Sequence, residues 1–478
     1  MQSKLYVIDD QPLPLGRDVM SRATLSGRVV LVGAVVVFAD ACASLDPRAG
    51  LPTVDRLVVA RAATPAYWSP GETPDRAIAD TVTRLLTGPL SVEGAVRVAM
   101  LSNRELQARF EDLGVAQAEF VQAGLIANPL FTVSRITLRD TPGEMGIMQS
   151  FVSLLQRPAR QRVAKAQLSA TQVRVADAVV MHVTDVRSAY YALQAAQQMY
   201  ELRGTVAQAT SASAQSAEAI SAAGNLRDLD LFSEQAMAEE SRAVVIAAQN
   251  DVTSARERLV RLMGVPTNDS AWTVSARLPD VPGDTLRVDS LTALAVRRRL
   301  DLAATFEDIT VAGRQLGLAR RFALLADGSV GYDVETDGSR RSAGPTVSIP
   351  IPLFDQGIAR TSAQRSRVRQ AIARHDALAV LVRSEVRTAF AQLVAAQQRV
   401  NVYRTRVLPL RRRIVQEAQL QFNAMTLGVF TLVQARQGEI AAGAAYVESI
   451  RDFWIARAAL ERATGGLLLA TDLTRPER

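Results

Sequence analysis

The sequence predicts a mainly α protein with a small β portion, built from a duplicated module of long helices plus a two-strand hairpin. Three observations carry this. First, the chain repeats itself at a spacing of about 200 residues, far longer than a solenoid unit. Asp185-Val-Arg-Ser-Ala-Tyr-Tyr-Ala-Leu-Gln-Ala-Ala-Gln-Gln198 matches Glu385-Val-Arg-Thr-Ala-Phe-Ala-Gln-Leu-Val-Ala-Ala-Gln-Gln398. Arg109-Phe-Glu-Asp112 matches Thr305-Phe-Glu-Asp308, and Ala255–Gly264 matches Ala456–Gly465. Second, residues 159–223 contain no proline and one glycine, Gly204. As one helix they would reach about 100 Å, too long for a compact globule. Third, residues 329–353 alternate apolar with small or polar side chains, so a hairpin there has two unlike faces.

Composition agrees with long packed helices: Ala, Gln, Arg and Val dominate, and aromatics are scarce. The formal net charge is +7, but the basic residues are interleaved with Glu and Asp along helical faces. With no nucleic-acid motif present, solvated helix faces are the reading, and no nucleic-acid partner is expected.

Taken in order, residues 1–41 read as an upstream segment and a signal peptide. Arg22 and Arg28 precede the uncharged run Val29–Ala39. That run is too short to cross a bilayer and fits the apolar part of a secretory signal. Met20 lies at the usual distance for the signal's own start, so residues 1–19 read as an upstream miscall. Ala39-Asp-Ala41 has a small-x-small form and leads directly to Cys42, the single cysteine. One cysteine allows neither an intrachain disulfide nor a cysteine metal cluster. Its position marks Cys42 as a lipid-attachment candidate, although Ala39 and Asp40 depart from the usual pattern; ordinary cleavage leaving a free Cys42 is the alternative. Residues 42–89 read as an irregular Pro-rich arm followed by a short helix over 75–86.

The first repeat spans 90–264. Ser91 is an expected N-cap for a helix from Val92 to about Ala127. Asn128-Pro129 breaks it. A hairpin over 129–155 follows, with strands 130–138 and 147–155 around an Asp140-Thr-Pro-Gly143 turn. The long helix comes next, and a return helix runs from about Leu229 to Met263. Residues 265–288 form a Pro-rich linker. The second repeat, 289–466, has a helix over 289–325, a hairpin over 329–353, a long helix over 358–427 kinked at Pro409, and a last helix to about Ala463. Residues 467–478 are a C-terminal tail.

In the second hairpin Val330, Tyr332 and Val334 share one side, as do Val347, Ile349 and Ile351. This fits a membrane barrel wall, and it also fits a soluble hairpin covering a core. The first hairpin alternates less cleanly, with Arg135 and Gln149 in it. Four strands cannot close a transmembrane barrel, for which eight is about the minimum, so a membrane role would need several protomers.

The residues now assembled resemble the TolC-like outer-membrane efflux family over about Leu90 to Gly466. Carrying the resemblance are Leu90-Ser-Val-Glu-Gly-Ala-Val-Arg-Val-Ala-Met-Leu-Ser-Asn103, Ala116-Gln-Ala118, Gln122-Ala-Gly-Leu-Ile-Ala-Asn-Pro129, Pro350-Ile-Pro-Leu-Phe-Asp-Gln-Gly357 and Gly428-Val-Phe-Thr-Leu-Val-Gln-Ala-Arg436. The resemblance implies a homotrimer forming a 12-stranded β-barrel on a periplasmic α-helical barrel. It implies a passive exit channel of a tripartite efflux or type I secretion system, in contact with outer-membrane lipid, a periplasmic adaptor and an inner-membrane pump. The alternative is a periplasmic coiled-coil scaffold or adaptor without a pore.

Within that frame Asp228 and Asp230, beside the first tip turn, are pore-gating candidates; acids also suit any helix start, through the helix dipole. Gly224 and Gly428 mark the two tips where an adaptor would dock, and each reads as a turn glycine. The first strand exit, Leu154-Leu-Gln-Arg-Pro158, lacks the Pro-Leu-Phe-Asp-x-Gly form, and the first tip, Gly224–Leu231, differs from the second. No catalytic constellation, metal site or cofactor is expected. His182 and His375, the two histidines, read as ordinary helix residues.

Overall fold

The structure is a computed structural model describing residues 46–69, 76–134, 143–266, 272–275, 277–283, 287–325, 327–337 and 340–468. The signal peptide, Cys42, Arg135, most of the first hairpin turn and nearly all of the C-terminal tail lie outside the described residues.

A one-turn 3-10 segment, Pro47–Gly50, leads into helix α1, Leu51–Ala62. The expected irregular arm is therefore partly helical. Pro52 stands in the first turn, where a missing N–H costs nothing. Val54 and Val58, one turn apart, are fully buried. Helix α2, Arg76–Leu85, and a two-residue strand β1, Pro89–Leu90, follow.

The expected single helix over 92–127 is two: α3, Val92–Ser102, and α4, Arg104–Gly124. Ser91 caps the first through Gly94 N, as the sequence predicts. Asn103 ends α3 in extended backbone and caps α4 by accepting from Leu106 N. The second repeat has the same break: α7, Val288–Arg298, and α8, Leu300–Arg321, meet at Arg299. Both breaks are pinned by a glycine at the end of a return helix. A Cβ on Gly264, at φ +71°, would lie 2.6 Å from Asn103 Cα. One on Gly465, at φ +84°, would lie 2.9 Å from Arg299 N. Only glycine tolerates both that backbone and that approach.

The first hairpin is β2, Leu130–Ser134, and β3, Gly143–Ser150. Helix α5, Phe151–Ala222, starts at once; the second strand stops at Ser150, five residues short of its expected end. Ser150 caps the helix through Ser153 N, and Pro158 sits inside it. Arg160 Nη2 donates to the Ser153 carbonyl in the turn that the proline disturbs. At 72 residues, α5 is about 108 Å long. Helix α6, Asp228–Met263, returns along it. In the linker, strand β4, Thr273–Val274, pairs in parallel with β1. The adjacent Trp272 is buried, with Arg256 over its ring.

The second hairpin is β5, Ser329–Asp337, and β6, Arg340–Ser348, a pair longer at the turn and shorter at the exit than expected. Helix α9, Ile358–Val402, passes through a π turn, Tyr403–Val407, into α10, Leu408–Asn423. The expected kink at Pro409 takes this form: the wider turn precedes a proline placed in the first turn of α10. Helix α11, Val429–Thr464, completes the fold.

The helices form a row. Towards the sheet the order is α4, α5, α8, α9; away from it the order is α6, α5, α11, then α9 and α10. Short helices stacked in pairs thus flank each long one. Two apolar clusters hold the row where the pairs meet, one centred on Phe110, Leu193, Leu259 and Met263, the other on Leu291, Val386, Phe453 and Leu460. Each repeat supplies most of one cluster, with Val54, Val58 and Trp68 of the N-terminal arm and Leu300 of the second repeat joining the first cluster, and Ala195 of the first repeat joining the second.

Candidate channel wall, waist and tips

All four long strands join one antiparallel sheet in the order β2-β3-β5-β6. Strand pleating sends alternate residues to opposite faces, and the register fixes which residues share a row. Phe131, Ile147, Tyr332 and Pro345 form one row; Val133, Met145, Val334 and Ala343 form the next. On the other face Thr132, Gly146, Asp333 and Gly344 form a row beside Ser134, Glu144, Glu335 and Ser342. One face is therefore apolar and one polar across all four strands, including the first hairpin. The apolar face has polar exceptions at both ends: Gln149 at the helix end, where it donates to the Ala127 carbonyl, and Thr336 beside Arg341 near the turn, while Leu130 and Met148 are apolar exceptions on the polar face.

The apolar face is uncovered: Phe131, Val133 and Val347 are each more than 60% exposed. A hairpin covering a soluble core would bury that face. The outer edges of β2 and β6 carry no strand partner among the described residues. Long open edges beside an exposed apolar face are what a soluble protein avoids. No described helix is long and apolar enough to cross a membrane.

On the polar face Asp333 lies over Gly146. A Cβ there would fall 2.0 Å from Asp333 Oδ1 and 3.0 Å from Thr132 Oγ1. Thr346 Oγ1 donates to the same carboxylate.

The Pro-Leu-Phe-Asp-x-Gly segment has a local cause. Asp355 Oδ1 accepts from Gly357 N at 2.8 Å, an Asx turn that starts α9. Gly357 has φ +73°, and a Cβ on it would meet the Ala323 carbonyl at 2.9 Å, at the end of α8. Phe354 and Ile351 project into solvent just below the sheet. In the first repeat β3 runs straight into α5, so this turn has no counterpart.

At the waist, buried Arg299 donates to Asp301 at 2.6 and 3.0 Å, to Glu385, and to the Ala463 carbonyl at 3.4 Å. Burial alone would lower its pKa; the bonds to the two carboxylates reverse this and hold the guanidinium above its ordinary value. Nearby Asp177 is pushed up to about 6, first by burial and then by the charge of Asp301. Arg462 reaches Asp185 at 3.0 Å. Sequence reasoning missed this network; the signal available was a run of three arginines, 297–299, at the start of a helix. Among the described residues His182 bonds no side chain: its Nε2 lies 3.0 Å from the Leu262 carbonyl, which Asn103 Nδ2 also reaches at 2.8 Å. Burial lowers its pKa, so it packs as a neutral ring. His375 Nδ1 is 2.9 Å from Thr305 Oγ1.

At the first tip Gly224 is exposed with φ +74°, the turn role the sequence predicts. At the second tip the left-handed residue is Met425, φ +58°, while Gly428 is extended and caps α11. Gly428 therefore is not the turn residue expected there. Asp228 and Asp230 occupy the first turn of α6. Asp230 is ion-paired to Arg227 at 2.9 Å, and Asp228 is exposed. The structure thus brings Gly224, Asp228 and Asp230 together at one tip and puts Gly428 at the other.

No family model matches the chain. The cobalt-zinc-cadmium resistance protein CzcC of Cupriavidus metallidurans is 26% identical over 72% of this chain and 81% of its own length. Among solved structures, the outer-membrane channel OprN aligns with a TM-score of 0.64 at 18% identity, over 85% of this chain and 95% of that one. The outer membrane protein VceC of Vibrio cholerae aligns with a TM-score of 0.64 at 18% identity, over 78% and 96%. At these identities the likeness establishes the fold, which is the TolC-like one.

Proposed function

We propose that this chain, built on the TolC-like fold, is the outer-membrane exit duct of a tripartite efflux system. The observation that carries the reading is the sheet: one exposed apolar face, one polar face, and two open edges, continuous with a helix about 108 Å long. Lipid suits the apolar face and water the polar one. Three copies, joined β6 to β2, supply twelve strands and leave no open edge. The helices then extend the lumen through the periplasm. The activity is conduction, not catalysis. Energy and cargo come from an inner-membrane pump through a periplasmic adaptor, which docks at the two tips around Gly224 and Gly428. Asp228 and Asp230, repeated three times, ring the periplasmic mouth and gate it. Cys42 carries a lipid that anchors the mature chain. Cys42→Ala then loses acyl labelling and keeps the inserted trimer; loss of the trimer would refute a purely anchoring role.

Native mass measurement and planar-bilayer recording of the detergent-extracted protein test the pore. Three chains per particle and stepwise ion conductance are expected. A monomer without conductance would overturn the duct and favour a periplasmic scaffold. The relative named for cobalt, zinc and cadmium resistance makes these ions the first cargo to try. A deletion strain sensitive to them alone supports metal export, and one sensitive to dyes and drugs instead moves the cargo to apolar compounds.

A further inference from the structure

The interleaving of basic and acidic residues fails in the helical layer nearest the sheet. Residues 151–176 of α5, 309–321 of α8 and 358–375 of α9 contain no Asp or Glu. They hold twelve arginines and one lysine. Among the described residues only Arg174 of these is ion-paired, to Asp308. Far from the sheet the balance reverses: residues 228–251 of α6 hold six carboxylates and one arginine. Like charges gathered at one level repel, and the fold supplies them with almost no counter-charge of its own.

The N-terminal arm marks the outer side of the helix row. Trp68 stacks on Phe110 of α4 at 6.4 Å, and Val173 of α5 packs against the cluster that holds both. The lipid proposed on Cys42, just upstream of the arm, enters the membrane outside the duct, so the side the arm covers is the outside. Helical spacing carries that side towards the sheet. Arg162 lies eleven residues, about three turns, before Val173, and exposed Leu155 lies seven residues before Arg162. In α8 Phe306, the repeat counterpart of Phe110, has no arm over it and is 60% exposed. Arg320 follows it by two steps of seven, with Arg321 beside it and exposed Leu324 beyond. In α9 the duplication puts Arg365 in the place of Lys165, seven residues after exposed Ile358. Arg162, Arg320, Arg321 and Arg365 are all exposed.

The outer side therefore has one order in all three helices: exposed apolar side chains next to the sheet, then cations. Phe354, fully exposed, extends the apolar level above Ile358. Seven residues of helix span about 10 Å. The headgroup region of one leaflet is about 5–8 Å thick, and an arginine stem covers the remainder by reaching towards it.

We propose that this collar binds the anionic phospholipid headgroups of the leaflet facing the periplasm. Leu155, Leu324, Phe354 and Ile358 enter the edge of the acyl layer, and Arg162, Arg320, Arg321 and Arg365 hold the phosphates beneath it. The planar guanidinium fork suits this task, because it gives a phosphate two parallel N–H bonds. The proposal rests on the duct reading, which needs only an apolar sheet face and names no class of lipid.

The test titrates the full chain in detergent with dioleoyl phosphatidylglycerol or dioleoyl phosphatidylcholine and counts bound lipid by native mass spectrometry. The wild type should hold the anionic lipid at least about tenfold more tightly, and raising the ammonium acetate concentration should narrow the gap. R162Q/R320Q/R321Q/R365Q should bring the preference below about threefold while phosphatidylcholine binding and the trimer fraction stay as they are. R157Q/R367Q, at positions across the helix from Arg162 and Arg365, should keep it. A wild type that binds both lipids alike would overturn the collar and leave the duct standing. So would a preference that survives the four substitutions or vanishes with Arg157 and Arg367. A monomer that keeps the preference would instead overturn the duct and leave the collar.

Discussion

Replacing Arg299 by methionine tests the waist network most directly. The substitution removes bonds to Asp301, Glu385 and the Ala463 carbonyl while keeping an unbranched side chain of similar length. Breaking a buried ion pair from one side typically costs about 3–5 kcal/mol, because the remaining charge is stranded. Here the stranded carboxylates are only partly enclosed: the Glu385 side chain is 42% exposed and that of Asp301 is 23% exposed. Water solvates them in part, which brings the expected cost to about 2–3 kcal/mol per protomer. Unfolding entropy for about 430 residues is near 0.9 kcal/mol/K, so the melting temperature should fall by about 2–3 °C. In a trimer both quantities scale with the number of chains and the shift is unchanged. The assay is thermal unfolding in detergent at one scan rate. The discriminating partner is Arg299→Met with Asp301→Asn and Glu385→Gln, which removes both sides of the network and should recover more than half of the loss. A single substitution that moves the midpoint by less than 1 °C, or a triple variant less stable than the single one, would refute the reasoning.

Three further outcomes follow from other sites. Asp177 titrates at about 6 in the folded state, above its ordinary value, so its contribution to stability is full below about pH 4 and is lost as pH rises past 6. Asp177→Asn should match the wild type at pH 4 and exceed it by about 1–2 kcal/mol at pH 8, measured as paired melting curves; a difference of the opposite sign would contradict the burial argument. Gly264→Ala should lose about 2 kcal/mol or more through its left-handed backbone and its approach to Asn103, whereas Gly204→Ala, in open space within α5, should gain up to about 1 kcal/mol; chemical denaturation of the two side by side checks the contrast. On the polar face of the sheet Glu144, Asp333, Glu335 and Asp337 outnumber Arg340, so the open pore should prefer cations, and E144Q/E335Q should shift the reversal potential in a salt gradient towards zero.

What the sequence made legible was whatever depends on periodicity and on local turn chemistry. The duplication, the long helix before Gly224 and the two-faced second hairpin all follow from spacing alone. The helix breaks do not. Val98, Ala99, Leu106 and Phe110 keep one buried face straight through Asn103, so the apolar pattern has no interruption there. The break comes from a residue about 160 positions away, Gly264, whose backbone fills the space beside Asn103. The strand boundary at Ser150 was missed because Pro158 reads as a barrier to helix, whereas α5 runs through it, with Arg160 bonded to the Ser153 carbonyl within the same helix. The first hairpin was obscured by Gln149 on its apolar face and by Leu130 and Met148 on its polar one, so its two faces emerge only once the register sets its rows beside those of β5 and β6. Of the site residues, Gly224 was legible because a left-handed turn needs glycine, while Gly428 was not, because Met425 takes the strained position instead.

The departures from internal symmetry fall where the two repeats meet different surroundings. At the waist, where the repeats pack on one another, the geometry is nearly duplicated: each return helix ends in a left-handed glycine against a helix break. At the sheet and the tips it is not. The first repeat passes from strand to helix without a linker, and the second inserts the exposed Ile351 and Phe354 before Gly357. The first tip carries Asp228 and the Arg227–Asp230 pair, and the second carries exposed Met425 with no acid in the first turn of its helix. In a trimer six tips would then alternate between charged and apolar around the periplasmic mouth. An adaptor that binds all six must offer two kinds of site, and one that binds a single kind contacts three. Exchanging Asp228 for serine and Met425 for serine in separate proteins distinguishes these cases. If both weaken adaptor capture, the ring is fully occupied; if only one does, the adaptor reads one repeat and the other repeat is left to the gate.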